Sequence, residues 1–193
     1  MTTMYRYNSY LPEIVMNSKK LAKSKHFSHS CSDETGRLLS VLVGQIKHGK
    51  ILEIGTGYGV GSSWIVSALL PGVSFYSVDH DKKKVDLVRE TLHHCQVTFL
   101  VSDWKELIHK GPFQFIFADA AAAKCLEAEL LLCALDIGGL LLMDDFTPQE
   151  HFPEEWRDKP DEVREFWLNH EDVRATEIYL SPTSAALLVT RIN

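Results

Sequence analysis

The sequence predicts an α/β fold: a doubly wound sheet of seven strands, mostly parallel, with an antiparallel last strand. Three observations carry this. Ile51-Leu52-Glu53-Ile54-Gly55-Thr56-Gly57-Tyr58-Gly59-Val60-Gly61 reads as a buried strand turning through glycines into a helix. From residue 50 onward, short β-type runs alternate with helical segments, which implies parallel strands covered on both faces. Near the end, runs 173–180 and 184–191 are separated only by Ser181-Pro182-Thr183. That link is too short for a parallel crossover, so the two runs form a hairpin.

The elements follow in order. A helix is expected from about Pro12 to Lys23, after the tyrosines Tyr5, Tyr7 and Tyr10. Ser30-Cys31-Ser32-Asp33 has capping-box spacing for a second helix. Leu38, Leu39, Leu42 and Ile46 give that helix an apolar face, and His48-Gly49 are expected to end it. Strands are then expected at 50–54, 73–78, 96–101, 114–118 and 138–143, with helices at 60–70, 81–94, 104–109 and 121–134. In the segment 81–94, Val85, Val88 and Leu92 share one face, and His93-His94 sit at its end. A helix near 160–170 directs Val163, Phe166 and Trp167 inward. With 193 residues the chain reads as a single domain, 1–193, with an N-terminal helical cap (1–48) and a cofactor-binding core (49–193).

Composition narrows the function. Hydrophobic residues at 45% and charged residues at 24% are ordinary for a globular protein, and a net charge of −6 disfavours nucleic acid as a partner. The run Cys125 to Met143 is interrupted by Glu127, Glu129 and Asp136, too charged for a bilayer, so no membrane partner is expected. Four scattered cysteines without a CxxC pair fit a reducing compartment, and the N-terminus lacks a basic-then-apolar leader. A cytoplasmic protein is expected.

Ligands of such sheets lie at the carboxyl ends of the strands. Those ends carry, in order, Glu53 with the glycine turn, Asp79, Ser102-Asp103, Asp119 and Asp144-Asp145. Two ligand types use a glycine turn of this kind: nucleotides with a pyrophosphate, and S-adenosylmethionine. Glu53 repels a pyrophosphate but suits an ammonium and a sulfonium. The dinucleotide fingerprint also requires glycine where Val60 stands, and the terminal hairpin departs from a dinucleotide-binding sheet. These features favour S-adenosylmethionine over NAD. Asp79 is placed to accept hydrogen bonds from a ribose diol, or else to cap the helix 81–94. Asp103 either accepts from the adenine amino group or caps the short helix after it. Trp104 and Tyr58 either enclose the cofactor or pack in the core. Asp119, Asp144 and Asp145 end adjacent strands, and their mutual repulsion would be relieved by a hard divalent cation. The alternative is that one caps a helix, another faces solvent and no metal binds. The nine histidines have no ligand spacing, and no nucleophilic triad is apparent.

On these residues the chain resembles the class I S-adenosylmethionine-dependent methyltransferases, Rossmann-like proteins, and within them the catechol and caffeoyl-CoA type O-methyltransferases, closest to small bacterial members. The likeness runs from Ser30-Cys31-Ser32-Asp33-Glu34-Thr35-Gly36-Arg37 to the terminal hairpin. It implies that Glu53, Gly55, Thr56, Gly57, Tyr58, Gly59, Gly61, Ser62, Asp79, His80, Ser102, Asp103, Trp104 and Asp119 contact the cofactor. It also implies that Asp119, Asp144 and Asp145 hold Mg²⁺, Mn²⁺ or Ca²⁺. The family's metal-dependent branch ends strand five with Asp-Asn, where this chain has Asp144-Asp145. The same branch places a lysine base shortly after the strand-four aspartate. Here Ala120 to Ala123 intervene before Lys124, so Asp119 and Lys124 are the expected catalytic pair.

The implied activity is methyl transfer to a hydroxyl of a small-molecule acceptor, such as one of a vicinal aromatic pair, assisted by a divalent metal. The alternatives are a metal-independent small-molecule methyltransferase and a non-catalytic member that binds S-adenosylmethionine. The N-terminus and the 146–160 loop either close over the acceptor or form the contacts of a homodimer.

Overall fold

The computed structural model describes residues 11–120 and 127–193. Two helices come first, α1 (Glu13–Ser24) and α2 (Asp33–Val43). The alternating part runs β1 (Gly49–Ile54), α3 (Val60–Ala68), β2 (Val73–Asp79), α4 (Lys82–Thr91) and β3 (Val97–Val101). A 3₁₀ segment, Trp104–Lys110, leads to β4 (Phe113–Ala118). Then follow α5 (Ala128–Ala134), β5 (Leu135–Phe146), α6 (Glu162–Asn169), β6 (Val173–Ser181) and β7 (Ser184–Arg191).

The described residues form one seven-stranded sheet in the order β3-β2-β1-β4-β5-β7-β6. The five strands from β3 to β5 are parallel, and β7 pairs antiparallel with both β5 and β6. The expected architecture is therefore observed, with the terminal hairpin inserting β7 rather than β6 beside the parallel strands. The order in which strands are added reverses between the parallel neighbours β1 and β4, which leaves a crevice at their carboxyl ends where ligands bind in such sheets.

Side chains alternate between two cores, as the period of two along a strand requires. Leu52, Ile54, Ile116, Leu141 and Met143 enter one core, covered by α5, α6 and the 3₁₀ segment. Ile51, Phe75, Phe115, Phe117 and Leu142 enter the other, covered by α1 to α4. Fully buried Trp167 anchors α6 on the first face, a contact whose truncation to alanine costs about 3–5 kcal/mol at such sites.

Some predicted helix ends move. α2 stops at Val43 with Gly44 as its cap, before His48-Gly49, and Gly49 already belongs to β1. α4 ends at Thr91, so His93-His94 lie beyond it. The α2 N-cap is Ser32, not Ser30: its Oγ accepts from the Thr35 amide at 3.0 Å. The segment 104–109 is 3₁₀ rather than α-helical. Lys124 and the first part of the predicted helix 121–134 lie outside the described residues. No helix among the described residues is long and apolar enough to cross a membrane.

Candidate active site

At the end of β1 the backbone takes three positive-φ glycines in succession, Gly55 (104°), Gly57 (52°) and Gly59 (79°). Gly55 has two reasons to be glycine. Its φ is costly for an L side chain, and a Cβ there would meet the Asp119 carbonyl oxygen at 3.1 Å. The turn is thus wedged against the end of β4. α3 begins with no side-chain cap on its first amides, an arrangement that leaves amide donors for an anionic group.

Glu53 lies beneath this turn, fully buried on the α3 face of the sheet. Ser77 donates to its Oε2 at 2.5 Å, Ser62 donates to the same oxygen, and Thr56 is 2.7 Å from Ser77. With the Ser77 proton committed to Glu53, Thr56 donates to Ser77. A Cβ on Gly61 would come within 2.5 Å of Oε1, so the glycine leaves room for the carboxyl group. Oε1 has no hydrogen-bond partner among the described residues. Burial, only partly offset by the Ser62 and Ser77 hydrogen bonds, pushes the Glu53 carboxyl up to about 8.

Asp79 closes β2. Its Oδ2 accepts from the Gly57 amide and its Oδ1 from the Asp81 amide, both at 2.9 Å. The cap of α4 is Asp81, which accepts from the amides of Lys83 and Lys84. The helix-cap alternative for Asp79 therefore passes to its neighbour, and Asp79 instead ties the glycine turn to β2. Asp103 does cap the 3₁₀ segment, accepting from the Lys105 amide at 3.0 Å. That hydrogen bond holds its carboxyl below the usual range.

A cavity of about 600 Å³ runs along the carboxyl ends of all five parallel strands. Ser102, Asp103 and Trp104 line it after β3, Asp79 and His80 after β2, and Gly55 and Gly57 after β1. Asp119 and Asp145 line it after β4 and within β5. Thr56, Tyr58, Gly59, Gly61 and Ser62 support the turn without lining the cavity. Glu53 braces the turn from below, held by Ser62 and Ser77, and does not line this cavity. Tyr58 packs edge-to-face on Phe27, with ring centroids 5.2 Å apart, and does not face the cavity beside Trp104.

The α1–α2 connection supplies wall residues that sequence reasoning missed. Phe27 lies over Gly57 and touches His29 edge-to-face at 5.7 Å, with the Lys84 ammonium 4.9 Å from its ring centre. Phe27, His29 and Lys84 all line the cavity. Residues 25–31 have no periodicity, so only folding reveals that they cross the glycine turn.

Asp119, Asp144 and Asp145 each present a carboxylate oxygen, and these oxygens lie within 4.8 Å of one another. Consecutive residues of a regular strand point to opposite faces, so Asp144 and Asp145 would ordinarily diverge. The β5–β7 register slips between Met143 and Phe146, and Asp145 takes φ 64°. This bulge turns both acids toward Asp119. Cys31 is buried nearby: burial first, then the charges of Asp144 and Asp119, push its thiol well up, so it is a neutral thiol.

A second cavity, about 570 Å³, shares Asp145 with the first and is walled by Phe146, Phe152, Trp156 and Val163. Arg164 stiffens it. This buried guanidinium pairs with Asp161, donates to Glu177 at 2.5 Å and to the Thr147 carbonyl at 2.8 Å, and sits 4.9 Å from the centre of the Phe146 ring.

Residues 52–146 match the model of a methyltransferase domain. That stretch, from β1 to the end of β5, is just under half of the chain and holds the glycine turn and the three acids. The chain's fold is that of the O-methyltransferase TomG from Streptomyces achromogenes, solved in complex with SAM, with TM-score 0.80 and 20% identity over 95% of this chain and 92% of that one. It is equally that of an O-methyltransferase from Bacillus cereus solved with SAH, with TM-score 0.76 and 20% identity over 95% and 93%. In sequence the chain is 36% identical over 109 residues to a protein-L-isoaspartate O-methyltransferase from Shewanella denitrificans, 54% of this chain and 49% of that protein. The chain thus spans about half the length of that curated relative.

Proposed function

We propose that this methyltransferase moves the methyl group of S-adenosylmethionine to a hydroxyl of a small-molecule acceptor, with a divalent cation assisting. One observation carries the reading: a single cavity joins the glycine turn and Asp79 to Asp119 and Asp145. A donor held at the turn and an acceptor held at the acids would face each other within it. In the transfer the sulfur–methyl bond breaks as the oxygen–methyl bond forms. The acceptor hydroxyl gives up its proton, and a neutral thioether leaves. The sulfonium is already activated, so the protein's work is alignment and exclusion of water.

The residues present fit a cation. Three carboxylate oxygens converge within 4.8 Å, and an all-oxygen donor set suits Mg²⁺, Mn²⁺ or Ca²⁺. When bound, the ion supplies charge that holds acceptor oxygens and lowers the pKa of one of them. The chain's own residues do the rest. Asp79 and His80 would hold the ribose, Ser102, Asp103 and Trp104 the adenine, and the uncapped start of α3 the methionine carboxylate. Lys124, five positions after Asp119 in the chain, is proposed to take the acceptor's proton. The aromatic walls Phe146, Phe152 and Trp156 suit a flat acceptor. The free thiols Cys31, Cys95 and Cys133 fit a cytoplasmic setting.

Titration calorimetry of S-adenosylhomocysteine into metal-stripped protein, repeated with Mg²⁺, tests the cofactor and the ion separately. Methyl transfer to catechol with and without chelator then tests the role of the ion. Saturable cofactor binding with chelator-sensitive transfer is the expected result. Transfer that chelators leave unchanged would support the metal-independent alternative, and cofactor binding without transfer would support a non-catalytic member. An isoaspartyl peptide, suggested by the name of the Shewanella relative, belongs in the same assay; its preferred methylation would overturn the small-molecule reading.

A further inference from the structure

We propose that Thr35 is a positioning residue for the acidic cluster, its hydroxyl orienting the Asp144 carboxylate toward the divalent cation. The inference rests on the cation reading above and concerns a residue from the helical cap, 109 positions away in sequence.

Asp144 is 2% exposed, and a polar group so buried needs hydrogen-bond partners. Thr35, also fully buried, donates to Asp144 Oδ1 at 3.2 Å. The direction of this bond is forced by proton counting. The Ser32 oxygen accepts from the Thr35 amide at 3.0 Å, and the two hydroxyl oxygens lie 3.0 Å apart. An ionised carboxylate only accepts, so the Thr35 proton goes to Asp144 and the Ser32 proton goes to Thr35. The cap of α2 thereby closes on itself and aims its one remaining proton at the cluster.

The helix is held so that this aim persists. A Cβ on Gly36 would lie 2.1 Å from Trp64 Nε1, so α2 rests directly on the α3 indole, closer than any larger residue allows. Lys19 of α1 pairs with Asp33 in the first turn of α2. A purely structural cap would need the Ser32 contact alone. The bond to Asp144 is additional and points at the chemistry.

The test compares Thr35→Val, Thr35→Ser and Ser32→Ala with the wild type. Mn²⁺ affinity is read from the free-ion electron paramagnetic resonance signal, and S-adenosylhomocysteine affinity from calorimetry. Thr35→Val should weaken Mn²⁺ about tenfold, as loss of an outer-shell partner does. Its cofactor affinity should hold, and Thr35→Ser should restore Mn²⁺ binding. Ser32→Ala, at an exposed position, should show a smaller loss, and it carries the test if Thr35→Val does not fold. Wild-type Mn²⁺ affinity in the valine protein would overturn the inference. So would a serine protein as weak as the valine one, or parallel loss of ion and cofactor. A wild type that binds the cofactor but no Mn²⁺ would instead remove the cation reading, and this inference with it.

Discussion

The two halves of the cavity are built on different principles. Around β1 and β2, polar groups are matched by donors from the same βαβ unit: Glu53 by Ser62 and Ser77, Asp79 by the amides of Gly57 and Asp81. Around β4 and β5, three carboxylates are brought together by a bulge, a left-handed residue and a threonine from a distant helix. The first half offers a shaped surface with prearranged donors and acceptors. The second concentrates like charge, which a cation from outside the chain would offset. One βαβ unit can build a rigid cradle, whereas the converging charge also draws on a residue 109 positions away.

The sharpest way to break this contrast is Asp145→Ala. Asp145 is exposed, so its truncation opens no core. Methyl transfer should fall on the order of a hundredfold or more, while calorimetry finds cofactor affinity nearly unchanged. Wild-type turnover in that variant would mean the acids are not a working cluster. Asp79→Asn should do the reverse, weakening S-adenosylhomocysteine about ten- to hundredfold, since hydrogen bonds to a charged group are worth about 1.5–3 kcal/mol. If cofactor binding survived intact, the β2 end would lose its assigned role.

Glu53→Gln sharpens the contrast through pH. The folded value of about 8 stands above the ordinary value of 4.5, so the folded chain retains a proton that the unfolded chain gives up between them. The associated stability is full below pH 4.5 and is lost as pH rises through 8. Glutamine cannot ionise, so the difference in Tm between pH 5 and pH 8.5 should shrink by several degrees. An unchanged difference would show that Glu53 is already ionised. The smallest effect is expected from Phe27→Ala. Removing the ring over Gly57 should weaken cofactor binding only severalfold, about 1 kcal/mol, with faster dissociation in stopped-flow traces. No change at all would make the α1–α2 connection a bystander.

Legibility in the sequence followed the range of the interactions. The strands and the terminal hairpin depend on local periodicity and turn length, which the chain carries directly, while the place of β7 between β5 and β6 does not. Helix ends at 43 and 91 were harder, because Gly44 and Leu92 cap them less conspicuously than the histidines that follow. Position 53 was half legible. Its alternation with Ile51 places it under α3, yet a carboxylate beside a glycine turn also invites a ligand-contact reading. The bulge at Asp145 carries no sequence signal, since aspartate occurs readily in ordinary strands and turns alike. The Thr35–Asp144 bond joins segments that nothing in the one-dimensional pattern relates.

The left-handed backbone at position 145 also bears on heredity. Among residues that tolerate such a φ, asparagine, histidine and glycine each lie one nucleotide from an aspartate codon. A lineage can therefore exchange a charged oxygen donor for a neutral one, or for nitrogen, without rebuilding the bulge. The donor at position 145 is the trait free to drift, while the bend that presents it stays fixed.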